Sequence, residues 1–375
     1  MMCWDVNQVW KPEHMMTCIV RANALATQAR PTSHTAISFI PVTTSFSFVT
    51  RHVNYRIEMP HILSPATNAW HHAPLRLVGL LALAYLNTFA ERTALNGTSQ
   101  WLDVLILCPG LHRQQKATQL SDGEFPACAA MTTGYVFRVE NPATVFYLQS
   151  VGETGKLTNI SVSKADVRFP EGACLVHAAA GSSVAAFALL VSLSDWWALS
   201  YLLVLVVVRL INTALIRAQS CVDWQGQSEP GQLGDLFVLL SYDRWVCIQG
   251  EVDDLKAVTS GRWLRRPTTF EEVMSGCATL LAYAAPALAA NATLSGHIII
   301  AILLVGNFAA LATANCLTIA LRMKGKTLQV QGVRRAYERR SVLASELIAE
   351  SGRSDWAIAM GLIPGEPHSR NSVTM

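Results

Sequence analysis

Five polar side chains stand inside stretches that are otherwise apolar: His177, Arg209, Asn212, Asn307 and Asn315. A polar group in hydrocarbon is costly to leave without a partner, so it marks either a polar pathway or a structural hydrogen bond. Arg209 lies about 10 Å along a helix from the end of its stretch, close enough for its guanidinium to snorkel to the headgroup level. The asparagines would then bond between helices, a stabilisation averaging about 0.6 kcal/mol. This structural account is preferred over a ligand site or pathway between the helices, because each residue has an ordinary role open to it.

A second group lies in the segment VDDLKAVTSGRWLRR: Asp253, Asp254, Arg262, Trp263, Arg265 and Arg266. Paired carboxylates invite an acid/base or metal reading. Adjacent helical residues project about 100° apart, however, so Asp253 and Asp254 do not converge on one atom. Early in a helix they favour its positive end instead. Trp263 among arginines predicts a helix end resting on anionic headgroups, or a cytosolic interaction surface, at about 1 kcal/mol per basic residue.

Other chemistry is not indicated. The chain has no nucleophile elbow, phosphate loop or HExxH pattern. Its nine cysteines are scattered, odd in number and free of CxxC spacing, which argues against a disulfide framework or a zinc site. His71 and His72 are adjacent and lack a second pair. No cofactor, metal or nucleic-acid partner is expected, and nothing points to an enzyme.

The elements that must position these residues are four long apolar stretches: Leu175 to Leu193, Trp196 to Ile216, Val273 to Asn291 and His297 to Leu321. Each is long enough to cross roughly 30 Å of hydrocarbon as a helix. Hydrophobic residues make up 51% of the chain and charged ones 15%, well under the roughly 25% of a soluble domain. The expected fold class is therefore an α-helical membrane protein: four transmembrane helices in two hairpins (175–216 and 273–321) with small cytosolic α+β elements. Lys and Arg concentrate in the loop 217–272 and the tail 322–375, whereas the turns Ser194-Asp195 and Leu294 to Gly296 carry none. The long segments are thus expected in the cytosol, with Trp196 and Trp197 at the outer headgroup level.

Leu75 to Ala90, interrupted by Arg76 and Asn87, could be a fifth span, an interfacial helix (75–92) or part of a leader. Residues 1–74 read as a poorly ordered region. Translation beginning near Met59 would make residues 1–58 an artefact. Between 97 and 170 a small β-rich element is expected. Tyr135 to Glu140 and Thr144 to Gln149 would form a hairpin about Asn141-Pro142, with Leu102 to Leu107 and Ile160 to Ser163 as further strands. Glycosylation sequons at Asn96, Asn159 and Asn291 are read as chance.

Two runs ending in Gln-Gly, Trp245 to Gly250 and Thr327 to Gly332, each precede a helix-prone stretch and are expected to pair as equivalent strands. In the second unit the amphipathic helix would begin at Val333. Small residues recur every four positions at Ala178, Ser182 and Ala186, at Ala282, Pro286 and Ala290, and at Gly306, Ala310 and Ala314. Such faces predict a compact bundle or a homo-oligomer.

Glu229 to Arg265, EPGQLGDLFVLLSYDRWVCIQGEVDDLKAVTSGRWLR, resembles the signature loop of a family of uncharacterised multi-pass membrane proteins of filamentous fungi. ESGRSDWA at Glu350 to Ala357 is similar to that family's C-terminal region, and the likeness runs from about Leu75 to Pro364. It implies kingdom and architecture but no activity. The functional expectation is a non-catalytic scaffold or accessory subunit that meets a protein partner through its cytosolic loop and tail. The alternative is a small transporter or channel lined by Arg209 and the asparagines, and a membrane enzyme comes last.

Overall fold

The computed structural model describes residues 77–164, 172–220, 226–260 and 263–364. The chain divides into two units, Met1–Thr67 and Asn68–Met375, and every described residue belongs to the second. The expectations for residues 1–74 lie outside the described residues.

The second unit begins with three short 3-10 helices, Val78–Leu83, Trp101–Leu105 and Leu111–Gln119, the first two separated by helix α1 (Thr88–Asn96). There follow β1 (Ala127–Ala130), β2 (Val136–Arg138), α2 (Pro142–Val151) and β3 (Lys156–Lys164). Helices α3 (Ala173–Ser192) and α4 (Trp196–Gln219) precede β4 (Leu233–Leu240), β5 (Arg244–Glu251) and α5 (Val252–Thr259). The third apolar stretch is α6 (Thr269–Ala284) continued by α7 (Pro286–Ala289), and the fourth is α8 (Leu294–Leu317). The chain closes with β6 (Leu321–Met323), β7 (Lys326–Ala336), α9 (Arg340–Ser351) and α10 (Asp355–Ala359).

Four of these helices, α3, α4, α6–α7 and α8, are long and apolar enough to cross a membrane. Pro286, which has no N–H to give, divides the third of them. Asp195 joins the two short turns at the end far from the sheet. Its carboxylate caps α4 through the Ala198 N–H (3.1 Å) and accepts from the Thr293 N–H (2.9 Å) and hydroxyl (2.6 Å), while Thr293 itself caps α8. Burial pushes the Asp195 carboxyl up, but these bonds and nearby His297 outweigh it and hold it below the usual carboxylate range. A depressed carboxyl contributes stability that is present above its unfolded value, about 3.9, and is lost as pH falls through the folded value. Unfolding of the detergent-solubilised protein should therefore show no loss from this group between pH 7 and about 5. Asp195→Asn should cost about 1–2 kcal/mol at pH 7, and the difference should vanish in strong acid.

The long helices interrupt one mixed seven-stranded sheet of order β2-β1-β4-β5-β3-β7-β6, antiparallel except between β3 and β5. Strand alternation sends Leu236, Val238, Val246 and Ile248 to one face, against Leu148, Leu255 and Val258. Phe237, Trp245 and Cys247 face the other way, against Leu343, Leu347 and Trp356. Cover on both faces explains the near-continuous apolar runs LFVLL and WVCI.

Several expectations are corrected here. Thr144 to Gln149 is helical: Asn141 caps α2 by accepting from the Ala143 N–H (3.1 Å), and Pro142 takes the first helical position, which its fixed φ suits. The Asn-Pro pair is thus a helix start, not a hairpin turn. Leu102 to Leu107 leaves the sheet altogether and packs in the helix bundle. Trp245 to Gly250 and Thr327 to Gly332 are strands, but they do not pair, because β3 lies between them. Gly332 does not end its strand either. With φ +68° it sits where the β3–β7 register shifts, so the strand bulges and runs on to Ala336, and the helix starts only at Arg340. The sequon residue Asn159 lies within the sheet, paired with Cys247 and Gln331.

The stripes of small residues are only partly the packing faces. On α3 the buried small residues are Ala179, Ala180, Ser183 and Ala186, while Ala178 faces outward. Gly306 and Ala290 are also exposed, whereas Ala282 and Ala314 are buried. A four-residue spacing drifts by about 40° per step around a helix, so it does not hold one face over several turns.

Candidate functional site in the helix bundle

Residues 77–119 do not form a fifth span. They are broken into one α-helix and three 3-10 pieces, and they pack among all four long helices. Ile106, Leu107, Cys108 and Leu111 are fully buried, in one cluster with Val176, Leu205, Val208 and Leu304 of those helices. A segment broken into short 3-10 turns and loops leaves carbonyls outside the helical ladders or bonded only within a short turn, and side-chain donors from elsewhere can serve them.

The donors are the polar residues that the apolar stretches carry. Arg209 gives its Nε (3.2 Å) and Nη2 (3.0 Å) to the Asp103 carbonyl. Asn212 Nδ2 donates to the Leu111 carbonyl (3.3 Å), Asn307 Nδ2 to that of Leu107 (3.0 Å) and Asn315 Nδ2 to that of Thr88 (2.9 Å). All four intramembrane candidates therefore serve one segment. Tyr201, Arg217 and Trp263 complete the pattern: they donate to the carbonyls of Gly79 (2.9 Å), Ser99 (3.0 Å) and Gly97 (2.5 Å). The residue types fit the task, since Arg, Asn, Tyr and Trp all carry N–H or O–H donors on side chains long enough to reach across a helix interface.

Around Arg209 the bonds extend into a network. Its Nη1 donates to Gln114 Oε1 (2.6 Å), and its guanidinium lies over the Phe89 ring at 3.6 Å. The Gln114 amide donates in turn to the hydroxyls of Thr93 (3.1 Å) and Ser99 (3.0 Å). Asp103 accepts at Oδ2 from the Gln100 N–H (2.8 Å) and the Ser99 hydroxyl (3.2 Å), while Arg92 Nε stands 3.9 Å from Oδ1. Arg209 is wholly buried, and both its neighbours are fixed. It does not snorkel, because its partners lie inward. The asparagines likewise bond to the embedded segment, and only Asn307 also bridges to another long helix, through Ser183 (3.1 Å) and Ser182 (2.7 Å). His177 is exposed and bonds within its own helix, to the Ala173 carbonyl (2.7 Å).

The second candidate group is dispersed. Asp253 accepts from the Ser228 hydroxyl (2.6 Å) and the Glu229 N–H (2.8 Å), which hold its carboxyl below the usual carboxylate range. Asp254 is buried and pairs with Lys326. As the helical spacing requires, the two carboxylates act apart. Trp263 is 1% exposed, so it cannot rest on headgroups; its indole is an anchor for the Gly97 carbonyl. Arg265 makes a two-pronged bond with Glu271 (2.8 and 2.5 Å), inside the Thr268 capping box that starts α6. Arg266 is exposed, and Arg262 lies outside the described residues.

No group of three His, Cys, Asp or Glu that could hold a metal occurs among the described residues. The donors of Arg209, Gln114 and the asparagines go to backbone carbonyls and to the network's own members, while Arg92 Nε and Asp103 Oδ1 meet only as an ion pair at 3.9 Å; the arrangement holds a broken segment in an apolar setting. Residue typing missed Tyr201, Arg217, Trp263 and Gln114 as members. The available signal was the segment itself: a stretch too short to span, interrupted at Asn87, Gly97 and Pro109-Gly110, needs donors from its neighbours. Comparisons with protein-family models, curated proteins and solved structures find no match to this chain, so the resemblance to fungal membrane proteins rests on the residues quoted for it alone.

Proposed function

We propose that this chain is a non-catalytic integral membrane protein, a scaffold or accessory subunit whose sealed helix bundle holds a sheet domain at the cytosolic surface. Length and composition of the four helices support insertion. So do their outward faces, where Val184, Leu189, Leu203, Leu280, Ile302 and Val305 are each between 50% and 70% exposed. Aliphatic surface on that scale is costly in water and costs nothing in lipid. Orientation follows from charge: the sheet end carries the Lys and Arg, the far turns carry none, and Trp196 and Trp197 lie exposed at the far end.

The observation that carries the reading is the commitment of Arg209, Asn212, Asn307 and Asn315 to backbone carbonyls. A transporter or channel would need these groups to face a path. Clefts of about 350 and 360 Å³ lie beside the sheet and at its junction with the bundle. The working surfaces of the protein are then on the sheet domain, where a protein partner would bind. Proteoliposomes containing the purified chain should pass monovalent ions no faster than empty vesicles. Native mass spectrometry from its own membranes should retain a second subunit at fixed stoichiometry. Ion flux abolished by Arg209→Leu would reverse the assignment in favour of transport.

A further inference from the structure

The sheet ends at β2, which pairs with β1 on one side and has no strand on the other among the described residues. The register fixes which of its backbone groups are left over. Ala130 donates its N–H to the Tyr135 carbonyl (2.8 Å), and Val139 donates its own to the Pro126 carbonyl (3.0 Å). Residues 135, 137 and 139 therefore turn their backbone groups to β1, and by the alternation of an antiparallel ladder Val136 and Arg138 point theirs outward. Neither residue has a backbone hydrogen bond on that outer side among the described residues. Open N–H and C=O groups along an edge are a template for another strand.

The side chains beside this edge are aromatic. Tyr135 and Phe137 share one face of β2, with their rings stacked 6.0 Å apart, and Tyr135 is 68% exposed. Arg138 Nη1 donates to the Phe125 carbonyl (3.3 Å), and Phe125 adds a third ring, 48% exposed. Tyr135 and Phe137 border the cleft of about 350 Å³ beside the sheet, with Ala130 and Leu236 of the sheet and Val252 and Leu255 of α5. Lys256 and Glu229 at this cleft pair with each other, and Asp235 points to the opposite sheet face with Phe237. The space therefore suits an uncharged side chain. An edge built only to avoid pairing is kept short and charged. β2 is short, but uncovered rings at its margin are the reverse of such protection, and aromatic anchors carry much of the binding energy at interfaces.

We propose that β2 is the docking edge for an extended segment of a partner protein. The segment adds as a further strand, bonding to the outward N–H and C=O groups of Val136 and Arg138. It sets an uncharged aromatic or aliphatic side chain against Tyr135 and Phe137, at the mouth of the cleft. An extended peptide fits both halves of this surface, whereas a helix has spent its own backbone groups and a lipid chain has none. The assignment rests on the subunit reading above and names the place on the sheet domain where the partner binds.

The test compares the full chain with Val136→Pro and Val136→Thr, each isolated from its own membranes in mild detergent and weighed by native mass spectrometry. Proline removes the outward N–H, which an end strand tolerates, and leaves the inward pairs of Tyr135 and Phe137 in place. Threonine keeps the N–H and the preference for a strand. Wild type and Val136→Thr should retain the second subunit at fixed stoichiometry, and Val136→Pro should retain about tenfold less. Two wild-type readouts decide the matter if the proline variant misfolds. In the assembly the Val136 and Arg138 amides should exchange about tenfold more slowly than in the chain stripped of its partner. A photoreactive benzoyl group placed at Tyr135 should attach to one short segment of that subunit, and the same group at Val333 on β7 should not reach that segment. Full retention by Val136→Pro, unchanged exchange at both amides, or attachment scattered over many segments overturns the docking edge and leaves the subunit reading standing. Attachment to a second copy of this chain overturns it in favour of a homodimer contact. A wild-type chain that carries no second subunit sinks both readings.

Discussion

Replacing Arg209 by leucine is expected to remove about 3 kcal/mol from the stability of the detergent-solubilised protein, the largest effect of any single change within the apolar helices. The substitution deletes both bonds to the Asp103 carbonyl, the bond to Gln114 and the contact over Phe89. It leaves the Gln114 amide oxygen without its donor and the Asp103 carbonyl with only the Ile106 N–H (3.2 Å), and a charged donor's bond is worth about 1.5–3 kcal/mol. The gain from burying leucine offsets only part of this, since a core leucine replaces none of the lost hydrogen bonds. Arg209→Lys should recover less than half of the loss. An ammonium keeps the charge but not the fork that spans Asp103 and Gln114, and it gives up the planar stack on Phe89. Chemical unfolding of the three proteins decides the matter. A leucine variant within about 0.5 kcal/mol of wild type would restore the snorkelling picture, in which the guanidinium sits in water and its loss is cheap.

The contrast between the two pictures shows which parts of this molecule the sequence carries. The four long helices are legible because apolarity over about 20 residues needs no knowledge of neighbours. Their ends shift by a few residues for local reasons: Leu321 continues the apolar run after α8, yet it is already the first residue of β6. Strands β3 and β5 are legible from β-branched and aromatic residues. β1 is not, because ACAA has no such residues and becomes a strand only through its pairing with β4. In α2 the run TVFY favours a strand, and the Asn141 cap with tertiary burial of Val145, Tyr147 and Leu148 overrides that preference. The polar network was half visible. Its donors stand out as polar letters in apolar runs, but their acceptors are backbone atoms far away in the chain. Asn307 is 200 residues from Leu107 and Asn315 is 227 from Thr88, and no local pattern links them.

That long-range pairing gives the second large effect, and the chain supplies its own reporter. Cys108 is free and fully buried beside Leu107, at the point where Asn307 holds the embedded segment. Asn307 makes three bonds there, to the Leu107 carbonyl, to Ser183 and from Ser182. Asn307→Ala removes all three and opens a small gap, so the local opening of 106–110 should become easier by about 2 kcal/mol. When reclosing is fast relative to modification, the labelling rate follows the open population, and 2 kcal/mol corresponds to a roughly thirtyfold faster reaction of Cys108 with maleimide. The measurement is made on a background in which Cys174, Cys277 and Cys316, exposed among the described residues, are replaced by serine together with Cys3, Cys18 and Cys221, with peptide mapping to follow Cys108 against the likewise buried Cys247. Cys247 lies in β5, in a cluster that does not include this segment, and should keep its wild-type rate. Acceleration at both cysteines would mean global destabilisation. Acceleration at neither would mean that packing of Ile106, Leu107 and Leu111 holds the segment without the asparagine. Acceleration at Cys108 alone would locate the asparagine's contribution at the carbonyl it caps, because only that contact lies within the segment whose opening exposes the thiol.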